Sequence, residues 1–65
     1  MDNDLLDLAD RLCTVAGMIM EDNNHIAITV PESLERRSIQ IQTIEAAGND
    51  IAALMTAARI LVRLG

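Results

Sequence analysis

The chain has 65 residues, a net charge of −5, and hydrophobic side chains at 51% of its positions, with no Phe, Tyr or Trp. A single small domain over residues 1–65 is expected. Domains this short bury only about 60% of the surface their unfolded chain exposes, and they usually need a disulfide, a metal or a partner for stability. One cysteine, Cys13, excludes an internal disulfide, and no Cys/His cluster offers a zinc site, so self-association is the support the composition leaves open.

The charge is divided unevenly. Residues 1–32 hold seven acids against Arg11, a balance of −6, and residues 33–65 hold three acids against four arginines, a balance of +1. An acidic chain repels phosphate backbones at long range, and without aromatic rings it has no platform for stacking bases. Nucleic acid is therefore disfavoured as a partner. The N-terminus is acidic, whereas a signal peptide starts basic. The apolar stretches are interrupted by Asp7, Asp10, Arg11, Arg59 and Arg63, so a membrane span is not expected. A cytoplasmic setting fits a lone thiol.

The first helix is expected over about residues 3–21. Asp2, Asn3 and Asp4 supply capping oxygens and negative charge at its start. Leu5, Leu8, Leu12, Val15 and Ile19 recur at three- and four-residue steps, which places them on one helical stripe. Leu6, Ala9, Cys13, Ala16 and Met20 make a flanking stripe, so this helix has more than one face to bury. Cys13 reads as a buried structural cysteine, and Met18, Met20 and Met55 read as core fillers. Gly17 costs about 1 kcal/mol against Ala in a helix interior, and either allows a close backbone crossing or marks fraying.

Glu21-Asp22-Asn23-Asn24-His25 reads as the turn. It lacks the spacing of a calcium loop, and His25 has no evident catalytic partner. Ile26, Ile28 and Val30 alternate, and Pro31 holds Val30 extended, so residues 24–30 read as an extended connector with Pro31 opening the next helix.

The second helix is expected over about residues 32–64. Leu34, Arg37, Ile41, Ile44, Gly48, Ile51, Met55, Ala58 and Val62 keep one register throughout, with Leu54 and Leu61 beside it. Gly48-Asn49 can end one helix and cap another, which makes a break near Gly48 a variant of this reading. Ser38-Ile39-Gln40-Ile41-Gln42 alternates like a strand, so an α-β-β-α alternative with a short hairpin at 25–45 stands beside it.

The fold class expected is all-α: a helical hairpin that assembles into a homodimeric four-helix bundle, with a tetramer as the second choice. The expected interface and core residues are Leu5, Leu8, Leu12, Val15, Ile19, Leu34, Ile41, Ile44, Ile51, Leu54, Met55, Ala58, Leu61 and Val62. Asp7, Asp10, Glu21 and Asp22 form the candidate rim toward a partner protein. No acid, base and nucleophile set, metal spacing or phosphate-binding glycine loop is present, so neither catalysis nor a cofactor is expected. The function expected is that of a small acidic regulatory or adaptor protein working through protein–protein contacts. The alternative is a nucleic-acid-linked regulator: an antitoxin, a transcription accessory factor or a nucleic-acid mimic.

Overall fold

The computed structural model describes residues 3–65, which form two helices: α1, Asn3–Ile28, and α2, Leu34–Leu64. They pack against each other as a hairpin joined by residues 29–33, a short helix–helix connection. There is no strand among the described residues, so the α-β-β-α alternative is overturned. The expected cap at Asp2 lies outside the described residues.

Both helices differ from expectation near the turn. Glu21–His25 is helical rather than a turn, and α1 continues to Ile28. Asp and Asn are weak helix formers, but Ile19, Asn23 and Ile26 extend the stripe that packs on α2, and packing overrides propensity. The strand-like run from Ile26 is divided: Ile26 and Ile28 are helical, and Val30 and Pro31 lie in the connection. Pro31 does not open α2. Ser33 caps it, with φ −149° and ψ 165°, and its Oγ accepts the Arg36 N–H at 3.2 Å. Gly48 does not break α2, which is continuous over its 31 residues. No glycine among the described residues has a positive φ.

The buried and half-buried positions reveal how the helices meet. On α1 they include Leu5, Ala9, Leu12, Ala16, Ile19, Asn23 and Ile26, and on α2 Gln40, Ile44, Ala47, Ile51, Leu54, Ala58 and Leu61. Each set alternates steps of three and four, the heptad spacing that keeps a seam facing a partner helix along a gentle left-handed supercoil. The seam therefore draws Leu5, Leu12 and Ile19 from one expected stripe and Ala9 and Ala16 from its neighbour.

The register is visible at the turn, where Gln40 Nε2 donates to the carbonyls of Ile26 and Thr29, the latter at 2.8 Å. Equal rise along both helices from that point pairs Ile19 with Ala47, Ala16 with Ile51, Leu12 with Leu54, Ala9 with Ala58 and Leu5 with Leu61. Large meets small at Ile19–Ala47 and Ala16–Ile51, leucine meets leucine at Leu12–Leu54 and Leu5–Leu61, and where Ala9 meets Ala58 both are small. Ala9, Ala16 and Ala58 are the buried residues among those described, at 3%, 1% and 4% exposure. Small side chains let the backbones approach, which covers them completely.

Candidate interaction surfaces

The seam leaves two broad faces on the hairpin. In a heptad with the seam at positions a and d, the flanking positions are e and g. One face carries Leu6, Cys13, Met20 and Ala27 of α1, and on α2 Ile41, Gly48, Met55 and Val62, with Leu34 at its turn end. The other face carries Leu8, Val15 and Asp22 of α1, Thr29 in the connection, and Arg36, Thr43, Asp50, Ala57 and Leu64 of α2. An open cleft of about 370 Å³ on this second face is lined by Thr29, Arg36, Ile39 and Thr43, with Ile26 and Gln40 beside them. That lining confirms that these positions of the two helices share a side.

The first face has no charged residue among its nine positions, and the second has three, Asp22, Arg36 and Asp50. Charges approach the uncharged face only at its margins, through Asp10, Glu45 and Arg59.

The residues expected at an interface or core are distributed between seam and faces. Leu5, Leu12, Ile19, Ile44, Ile51, Leu54, Ala58 and Leu61 lie in the seam. Ile41, Met55, Val62 and Leu34 lie on the uncharged face, and Leu8 and Val15 on the charged one; all six are exposed in the single chain. Cys13 is exposed rather than buried, because it follows the seam residue Leu12 and falls onto the uncharged face. Met18, Met20 and Met55 likewise fill no part of the hairpin seam and are exposed.

The four rim acids are exposed but do not share one face. Asp7 and Glu21 lie on the outermost line of α1, Asp10 turns toward the uncharged face, and Asp22 lies on the charged one. Asp7 and Glu21 are about 21 Å apart along the axis at 1.5 Å per residue. Gly17 allows no close crossing inside the hairpin: a Cβ at Gly17 or at Gly48 would meet nothing within 4 Å.

Two positions that shape the hairpin stand outside the expected core. Gln40 reads in the sequence as an ordinary helix former, yet it holds α2 to the end of α1. Asn23 falls in the expected turn, yet it sits in the seam, and its Oδ1 is buried without a hydrogen-bond partner. The signal that finds Asn23 is the spacing 5, 9, 12, 16, 19, 23, 26.

No His, Cys, Asp and Glu side chains group as a metal site among the described residues, and no helix there is long and apolar enough to cross a membrane. No protein family matches this chain, nor does any curated protein or solved structure.

Proposed function

We propose that the protein is a small regulatory or adaptor module that acts by presenting helical surface to other proteins, and that two copies assemble as a four-helix bundle. One observation carries this reading. Among the described residues the hairpin buries only three, all alanine, while thirteen large apolar side chains remain 45–90% exposed. Apolar surface on that scale marks a site of protein–protein contact. The acids Asp7, Asp10, Glu21 and Asp22, spread over the outer side and both flanks of α1, give that helix a negative surface suited to a basic partner.

The test has two parts. Light scattering on the purified chain at micromolar concentration gives twice the chain mass, or four times for the tetramer. Replacing Asp7, Asp10, Glu21 and Asp22 together by their amides leaves mass and helicity unchanged. It weakens cross-linking to a protein partner in the source cell, and the loss is larger at low salt. A stable, cooperatively folded monomer removes the bundle. Turnover of a small molecule, or nucleic-acid binding at physiological salt, removes the adaptor reading.

A further inference from the structure

Resting on the reading that the chain self-associates, we infer that the uncharged face is the one that meets the second copy, and that the charged face stays open in the dimer. Four observations converge on this assignment.

The first is area. The chain exposes 5075 Å². A compact monomer of 7.1 kDa exposes about 4,100 Å². The surplus of about 1,000 Å² per chain compares with the roughly 800 Å² that each partner contributes to a standard interface, so covering one face is enough.

The second is shape. The Cα radius of gyration is 15.3 Å and the extents are 52 × 14 × 10 Å. A compact domain of this length has a radius near 10.7 Å, and one of twice the length has a radius near 14 Å. Stacking two slabs across a broad face thickens the thinnest dimension without lengthening the rod.

The third is charge. Each copy has a net charge of −5, so association sets like charges against each other unless the contact excludes them. The uncharged face can meet its own copy without burying an unpaired charge. The other face would bring Asp22, Arg36 and Asp50 into the contact.

The fourth is Gly48. Glycine in a helix interior costs about 1 kcal/mol against alanine, and the hairpin offers no neighbour that would explain it. Gly48 lies at the middle of the uncharged face, with Met20 across from it and Cys13 one turn pair away. A missing side chain there lets a second backbone come close, while Ile41, Met55 and Val62 supply the apolar contact on either side.

Single charges separate the two faces. Ile41→Glu and Met55→Glu, both exposed in the single chain, are expected to raise the dissociation constant about a hundredfold or more, since a charge trapped in an apolar contact costs at least two tenfold steps. Val15→Glu and Leu8→Glu, equally exposed but on the charged face, leave it within about threefold of wild type. The lone thiol is a second readout that needs no variant. Cys13 of the wild type reacts slowly with a bulky maleimide in the associated state and faster on dilution.

If Val15→Glu dissociates the dimer and Met55→Glu does not, the face assignment falls while self-association stands. If both faces prove sensitive, the assembly is larger and the assignment of a single face falls. A wild type that is monomeric at every concentration removes self-association itself. If Met55→Glu unfolds the chain, the thiol decides: full reactivity of Cys13 where the wild type is dimeric overturns the proposal.

Discussion

The turn end and the long seam of this hairpin are held in different ways. At the turn, directional polar contacts fix the chain. Gln40 bonds two carbonyls at the end of α1, Thr29 Oγ1 donates to the His25 carbonyl at 2.9 Å, and Ser33 caps α2. These contacts satisfy carbonyls and N–H groups that a helix end leaves without partners. Along the seam, by contrast, Leu, Ile and Ala repeat with little to distinguish one heptad from the next. The turn therefore determines which layer meets which, and the seam supplies attraction that is nearly indifferent to alignment. Asn23 is the exception within the seam, and its cost falls at a position where a polar residue penalises slipped pairings.

Substitutions at each region sharpen this contrast. The largest effect is expected in the seam. Leu12→Asp or Leu61→Asp places a carboxylate against apolar neighbours at a cost of several kcal/mol, which exceeds the narrow stability margin of a small domain. Circular dichroism should show loss of the cooperative melt, and scattering should show loss of any assembly. Wild-type melting in either variant would show that the seam is misassigned.

The next effect is at the turn. Gln40→Ala removes the two hydrogen bonds to the carbonyls of Ile26 and Thr29 and the one its Oε1 accepts from Arg37 Nη1, and should destabilise by about 2 kcal/mol. Amide exchange should accelerate first at residues 26–40 rather than uniformly. Uniform acceleration would mean that the turn has no separate role.

Asn23→Leu should act in the opposite direction. Replacing a buried, unsatisfied amide by an apolar side chain should stabilise by about 1–2 kcal/mol, at the expense of a unique register. A raised melting temperature together with broadened or doubled NMR signals is the expected signature. A lowered melting temperature would show that Asn23 finds a partner in the assembled protein. The smallest effect is Ser33→Ala, which removes the α2 cap and should cost about 1 kcal/mol, read as a modest drop in melting temperature with unchanged mass.

Much of this fold was legible because its main signal is periodic. Three-four spacing identifies two helices without a structure, and Ile44, Ile51 and Ala58 appear in both the expected register and the seam. The same spacing is ambiguous about direction. Leu5-Leu8-Leu12 and Leu5-Ala9-Leu12 are both helical stripes, and hydrophobicity alone favours the first. The hairpin uses the second, because alanine permits closer helices and greater burial. That choice rotated Leu8 and Val15 out of the seam. Glu21–His25 departs from its expected turn for a related reason: local propensity suggests a turn, while two more seam positions, Asn23 and Ile26, carry the helix through it. The strand-like alternation at Ile26–Val30 gave way to the same packing. The two faces were not legible until the seam was known, since their composition depends on which residues it removes from the surface.

The clamp at Gln40 also orders events in time. Joining Ile26 to Gln40 closes a loop of 14 residues, whereas joining Leu5 to Leu61 directly spans 56 positions along the chain. The longer closure costs about 1.2 kcal/mol more in chain entropy. The hairpin is thus expected to nucleate at the turn and zip outward, each layer shortening the search for the next. The pair Leu5 and Leu61 closes last and, in the folded protein, opens first. Fraying is expected to start at the Leu5–Leu61 end and to travel inward until it reaches the hydrogen bonds at the turn.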